Sequence, residues 1–316
     1  LSAGCSIYPK DAETYVDILK CADYSLEYSK NVGKNRITFF SKDILKHKER
    51  SLELIELLRE KIEDDDYSEF ELFYQPQVDA MSGAIMGAEA LARWNSKKYG
   101  WGSPAEFIPL LEQSGLIIPL GKWIFKTAIS KCVEWVKFND EFVMSINLSY
   151  VQLTEPGFIP FMKSAIDENG LSTENVVVEL TESYMAKGTN SVKEIFDRIR
   201  ELGFKIAMDD FGTGYSSLDI LKNSPADIVK IDKTFIKDIM TSNFDATFIK
   251  FIVELCHDVD ISVCLEGVER LEEYNIVKTM NLDMIQGFLF GRPEPPEEFE
   301  RKFLNTDIRG RHSTSP

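Results

Sequence analysis

The stretch Val176 to Asp210, VVVELTESYMAKGTNSVKEIFDRIRELGFKIAMDD, holds the pattern that decides the fold. It opens on a short β-rich run, Val176 to Leu180, and closes on another, Lys205 to Asp209. Between them Val192, Ile195, Phe196, Ile199 and Leu202 recur at the spacing that gathers apolar side chains on one face of a helix. Strand, amphipathic helix, strand is the repeating unit of a parallel sheet, because parallel neighbours need a crossover between them. Both runs also carry acid toward their ends, Glu179 in the first and Asp209 with Asp210 in the second.

The same alternation extends in both directions. Further β-rich runs are Glu71 to Gln77, Ile85 to Ala92, Phe142 to Asn147, Ile228 to Ile231, Ile261 to Leu265 and Met284 to Gly287. Helical patterns lie at Trp123 to Trp135, Ala246 to Cys256 and Leu271 to Thr279. Only Val78 to Ala84 separates the first two runs, and Ser82-Gly83 supplies a turn, so these two are expected to form a hairpin. Eight strands joined mostly by helices predict an α/β fold: a (β/α)8, TIM-like barrel with one antiparallel strand at its start. An open doubly wound sheet is the competing architecture.

Upstream, Ser2 to Tyr8, Ala12 to Tyr28 and Arg36 to Phe40 read as strand, helix and strand, a small α+β fragment too short to bury a core of its own. Residues 1 to 46 hold seven basic and six acidic side chains, which leaves −17 of the total −16 to the remainder. That shift marks a boundary near residue 46. Leu54, Ile55, Leu58 and Ile62 predict a bridging helix from Lys42 to Glu63. The expected organisation is therefore a fragment over 1–41, a helical linker over 42–66, the barrel over 67–305 and a polar tail over 306–316.

A net charge of −16 argues against a nucleic acid polymer or an anionic membrane as partner, since both demand clustered Lys and Arg. No apolar run reaches the ~18 residues of a membrane span. Five cysteines without C-x-x-C spacing suggest neither a disulfide framework nor a thiolate zinc site, and a cytoplasmic location is expected for this part of what is read as a longer protein. Only His47, His257 and His312 are present, too few and too scattered for a catalytic triad or a multi-histidine metal site. Hydrolysis would have to run on carboxylates.

Barrel enzymes carry their chemistry at the carboxyl ends of the strands. Those positions here hold Glu89, Asn147, Glu179, Asp209 with Asp210, Lys230, Glu266 and Gln286. One acid at a strand end is ordinarily a turn or helix cap, but a converging set would repel without cations. Carboxylates with an Asn amide favour Mg²⁺ or Mn²⁺, and an adjacent Asp pair suits two ions ~3.5–4 Å apart, the arrangement that activates water against phosphodiesters. Lys230 would hold the attacking water or stabilise transition-state charge; its plainer reading is an ion pair with a neighbouring Asp. The loop Asp210 to Leu218 follows a strand and precedes a helix, so it could gate a site. Its Asp-Phe-Gly is not a kinase signature, since the Val-Ala-x-Lys and His-Arg-Asp partners are lacking. Arg93-Trp94 offers a guanidinium for a phosphate beside an aromatic wall, although Trp94 reads first as core.

The segment Ala88 to Trp94, AEALARW, resembles the signature of the EAL family, the cyclic di-GMP phosphodiesterases of bacteria. The resemblance continues through Tyr74-Gln75-Pro76, Asn147-Leu148-Ser149, Glu179 to Glu182, Asp209 to Leu218, Val229 to Asp232, Glu266 to Glu269 and Gln286-Gly287-Phe288. It implies that Glu89, Asn147, Glu179, Asp209 and Asp210 bind two metals, with Glu266 joining that shell or acting on the attacking water, which Lys230 contacts. It further implies that Glu182 holds the Asp210 to Leu218 loop and that Gln75, Leu91, Arg93, Asp232 and Gln286 contact the dinucleotide. The expected reaction opens one phosphodiester of cyclic di-GMP to give linear pGpG, in a homodimer. Residues 1 to 40 resemble the carboxyl-terminal end of a GGDEF domain, through Ser6 to Pro9, Ala22 to Leu26 and Lys30 to Phe40.

Two alternatives stand beside this reading. An EAL-type receptor would bind cyclic di-GMP without cutting it, but has no need of Glu89, Asp209, Asp210, Lys230 and Glu266 together. Enolase-type proton abstraction would use Lys230 as base, yet leaves the Asp pair and Arg93 without a role.

Overall fold

The computed structural model describes residues 1–33, 35–185, 190–213, 221 and 226–304. They fall into two compact units, Leu1–Asp66 with Glu106–Leu116, and Tyr67–Ala105 with the chain from Ile117 onward. In the first, strand β1 (Ala3–Cys5) pairs in parallel with β2 (Ile37–Phe39), joined by helix α1 (Tyr15–Asn31). Thr38 is buried, while Ile37 and Phe39 on the other face are 65% and 60% exposed. Helix α2 runs from Lys42 to Glu63, the predicted bounds, with the Ser41 hydroxyl accepting the Ile44 N–H at its start. Arg50 of α2 grips both carboxylate oxygens of Glu106 in α3 (Pro104–Ser114), at 2.6 and 3.1 Å.

The second unit holds nine of the described strands: β3 (Phe70–Asp79), β4 (Ile85–Ser96), β5 (Gly100–Gly102), β6 (Val143–Asn147), β7 (Val176–Thr181), β8 (Lys205–Phe211), β9 (Ile228–Ile231), β10 (Ser262–Glu266) and β11 (Met284–Gln286). Their order is β3-β11-β10-β9-β8-β7-β6-β4, and β4 pairs back onto β3, so eight strands close into a barrel. β3 lies antiparallel to both its neighbours, and the other six contacts are parallel. Closure rules out the open sheet and gives the expected barrel with its antiparallel first strand. The three-residue β5 was not expected. It pairs antiparallel with the far end of β4, past the point where β4 leaves β6.

Alternation along each strand separates two populations of side chains. Outward positions such as Val176, Val178 and Leu180 are apolar and buried, as are Leu120, Phe125, Ala128, Cys132 and Trp135 of the long helix α4 (Ile117–Trp135). Tyr74 of β3 meets the Trp135 ring edge-on at 4.7 Å, and Phe299 stacks on the same indole at 4.7 Å. Each such ring removed from water contributes roughly 1.5–3 kcal/mol. Inward positions are small in the half nearer the strand starts, where Gly87, Ser145, Ala207, Ser262 and Cys264 help line a cavity of about 320 Å³. Toward the strand ends they become charged and polar.

Candidate active site

Lys230 of β9 occupies the middle of that polar layer, with a side chain only 2% exposed. Its Nζ lies 2.6 Å from Glu179 Oε2 (β7), 2.8 Å from Glu266 Oε1 (β10), 3.2 Å from Glu89 Oε2 (β4) and 3.2 Å from Asp209 Oδ1 (β8). Four strands therefore converge their acids on one ammonium. Gln286 of β11 donates to Glu89 Oε2 (2.6 Å) and to Gln75 Oε1 of β3 (3.1 Å), and Asn147 of β6 donates to Glu89 Oε1 (2.6 Å). The Gln75 amide in turn donates to the Gly291 carbonyl at 3.2 Å.

One cation cannot neutralise four carboxylates, of which Glu89 and Glu179 are buried and Asp209 and Glu266 partly exposed, and the acids respond differently. Burial raises Glu89, but Lys230 and the amides of Gln286 and Asn147 outweigh it and hold this carboxyl below its usual range. Glu179 is driven well above its usual range by burial and by the Glu89 charge, against the pull of Lys230. Burial pushes Glu266 up to about 7, with Lys230 opposing and Asp209 and Glu89 adding to the rise. Lys230 itself is held well above its ordinary value, because the four acids overcome the cost of its burial. The cluster thus carries surplus negative charge that further cations would relieve.

The Asp pair explains where such cations would sit. In a regular strand adjacent side chains point to opposite faces. Here the β8–β9 register slips between Met208 and Phe211, and Asp210 takes a left-handed φ of +56°. The slip works as a β-bulge that turns both carboxylates to one side. Oxygens of Asp209, Asp210 and Glu266 lie within 4.8 Å of one another. Asp209 Oδ1 is buried and, beyond its ion pair, has no hydrogen bond among the described residues. Burial, then the charges of Asp209 and Asp232, raise the Asp210 carboxyl. A hard-oxygen donor set with an unsatisfied buried oxygen fits a divalent cation.

Glu182, at the start of the short helix Glu182–Met185, accepts the Gly212 N–H on Oε2 at 2.9 Å and so ties down the backbone just past the Asp pair. Gly212 has φ +100°, and a Cβ there would lie 2.3 Å from the Phe235 ring. The rest of the expected loop, from Gly214 to Leu218, lies outside the described residues, as does the tail from 305. Asp232 is buried just past Lys230 and accepts the Thr234 N–H at 2.9 Å. Leu91 and Arg93 lie further along β4 on the Glu89 face, outside the hydrogen-bonded cluster. Trp94 is core, with its indole N–H donating to Glu69 at 3.2 Å.

Two contributors were not picked out from sequence. Gln77 of β3 donates to Gln286 Oε1 (3.0 Å) and, more weakly, to Glu179 Oε1 (3.5 Å), and accepts the Ser145 hydroxyl at 3.2 Å. The signal was the pair Gln75 and Gln77, two polar residues at successive inward positions of β3.

A closed (β/α)8 barrel whose strand ends pool carboxylates around a buried lysine defines an acidic site with a donor set that could hold a metal ion. The EAL domain model matches residues 56–293, and the chain belongs to the EAL domain family. It is 32% identical over 298 residues to the bifunctional diguanylate cyclase/cyclic di-GMP phosphodiesterase MucR of Pseudomonas aeruginosa, covering 94% of this chain and 43% of that protein. It is also 32% identical to the cyclic di-GMP phosphodiesterase NbdA of the same organism, covering 96% of this chain and 39% of that protein. The chain thus spans less than half the length of these relatives. Among solved structures, the MucR phosphodiesterase in complex with cyclic di-GMP superposes with a TM-score of 0.73 at 33% identity, over 78% of this chain and 99% of that one.

Proposed function

We propose that this chain is a phosphodiesterase that opens one ester of cyclic di-GMP to give pGpG. The observation that carries the proposal is the set of acids gathered from four strands, with Asp209, Asp210 and Glu266 close enough to share cations while Lys230 stands among them. Glu89, Asn147, Glu179, Asp209, Asp210 and Glu266 would hold two Mg²⁺ or Mn²⁺ ions. When bound, these ions supply a lowered water pKa and neutralise the phosphate. Lys230 orients the attacking water through its Nζ and offsets the repulsion among the carboxylates. Glu182 positions Gly212 and so the bulge. Gln75, Gln286, Asp232, Leu91 and Arg93 line the side from which the dinucleotide would enter.

Several coarser features follow the same reading. Residues 1–41 would be the end of a GGDEF-like domain, residues 42–66 a linker and 67–305 the catalytic barrel. A cytoplasmic site of action is part of the same proposal; no described helix is long and apolar enough to cross a membrane. A homodimer belongs to the same proposal.

The test is incubation with cyclic di-GMP and Mg²⁺ or Mn²⁺, with nucleotides resolved by chromatography and Glu89→Ala run in parallel. Release of pGpG that requires both the metal and Glu89 is the expected result. Binding without product, in every metal tried, would instead make the chain a receptor.

A further inference from the structure

Gln77 carries no charge, yet its amide ties four strands together. It projects inward from β3, donates to Gln286 of β11 and Glu179 of β7, and accepts from Ser145 of β6. β4 stands between β3 and β6, and at the level of Gln77 it carries Gly87. A strand without a side chain at that point lets the amide reach past it. Ser145, Gln77 and Gln286 are all buried.

The hydrogen bonds through Gln77 run in one direction. Ser145 gives its hydroxyl proton to Gln77 Oε1 at 3.2 Å, Gln77 Nε2 donates to Gln286 Oε1 at 3.0 Å, and Gln286 Nε2 donates to Glu89 Oε2 at 2.6 Å. An amide that accepts on its oxygen offers its nitrogen to the other side, so each link fixes the polarity of the next. The last group is the Glu89 carboxylate, which accepts. Turning Gln286 over would set an amide oxygen against that carboxylate and an NH2 group against the Gln77 N–H, two buried contacts in which nothing pairs.

We propose that Ser145 and Gln77 are positioning residues: through Gln286 they hold the Glu89 carboxylate in the orientation in which it meets a cation. Both line the cavity of about 320 Å³ beneath the acids, on the side away from the strand ends, so they act without touching the dinucleotide. The inference rests on the metal-dependent phosphodiesterase reading above and adds to it a relay one layer below the ligands.

The experiment titrates the parent, Gln77→Met, Ser145→Ala, Ser145→Thr and the double variant Gln77→Met/Ser145→Ala with Mn²⁺ alone, reading the free ion by electron paramagnetic resonance. Hydrolysis of cyclic di-GMP is then measured on the same samples. Loss of a group that orients a metal ligand costs roughly 10–100-fold in affinity, so Gln77→Met should bind Mn²⁺ at least tenfold more weakly, and Ser145→Ala should weaken it by a smaller factor. Ser145→Thr keeps the hydroxyl, has room for its methyl in the cavity, and should recover the affinity lost in Ser145→Ala. Because Ser145 acts through Gln77, the double variant should bind no more weakly than Gln77→Met alone. Turnover should fall in the same order. Parent affinity in a folded Gln77→Met, or a double variant in which the two losses multiply, would overturn the relay. If Gln77→Met does not fold, Ser145→Ala decides, and equal affinities in it and in Ser145→Thr would overturn the relay as well. A parent that binds Mn²⁺ with this order of variants but releases no pGpG would remove the phosphodiesterase reading and leave the relay standing. A parent that binds no Mn²⁺ would remove both.

Discussion

Replacing Lys230 with methionine tests whether the site is held together by its own cation. The side chain keeps most of its length and loses the charge that four carboxylates share at 2.6 to 3.2 Å. At an effective dielectric near 20, each of those contacts is worth about 5–6 kcal/mol of attraction before desolvation. Measured losses on removing one partner of a buried pair are about 3–5 kcal/mol, because the acids left behind stay buried and unpaired. For a domain of this size each kcal/mol shifts the melting temperature by about 2–4 °C, so Lys230→Met should melt roughly 6–20 °C below the parent in EDTA. Saturating Mg²⁺ should recover part of that gap, since a bound cation stabilises the folded state by mass action. Differential scanning calorimetry with and without Mg²⁺ reads both quantities. A variant that melts within about 2 °C of the parent in EDTA would refute the argument that Lys230 is the counter-ion of the folded site.

Glu179→Gln should act in the opposite sense: in EDTA it removes a repelling charge beside Glu89 and is expected to melt at or above the parent, while its gain in melting temperature on adding Mg²⁺ shrinks. Glu182→Gln weakens a charged acceptor for the Gly212 N–H, and turnover is expected to fall at least tenfold with the Mg²⁺-induced melting shift retained. Gly212→Ala forces a side chain into φ +100° against Phe235, which is itself stacked on Phe248; equilibrium unfolding should show a loss of about 1–3 kcal/mol together with impaired turnover. Although burial raises Glu273, the N–H groups of Glu269 and Arg270 and the Arg270 guanidinium hold its carboxyl below the usual range. Its contribution is therefore present above the usual carboxylate range and is lost as pH falls through the depressed folded value, so Glu273→Gln should cost roughly 1 kcal/mol at pH 7 and progressively less below about pH 4.

The barrel could be read from sequence because its strands and helices have different apolar periods, and Val176–Leu180 against Val192–Leu202 shows both within one crossover. The acids at strand ends were legible for a related reason: Glu89, Glu179 and Glu266 interrupt runs that are otherwise apolar. The convergence of four of them on Lys230 was not legible, since it depends on which strands become neighbours when the barrel closes. Nor was the relay through Gln77, whose partners on β6 and β11 come within reach only in the closed barrel. The short β5, Gly100-Trp101-Gly102, lacks the alternation that marks a strand, and its pairing partner makes it one.

The bulge at Asp209 and Asp210 bears on how such a site can be transplanted. Two adjacent aspartates grafted onto a straight strand would face opposite ways, one into the barrel and one toward its helices, and half the intended ligands would be lost. What must be copied is the backbone, meaning an extra residue against the neighbouring strand and a left-handed conformation at the second position. That requirement makes the two aspartates unequal. The first can be exchanged for another acid at no cost to the chain path, whereas the second admits few residues besides Asp, Asn and Gly, so a designer or a diverging lineage has less freedom there than a glance at two identical letters suggests.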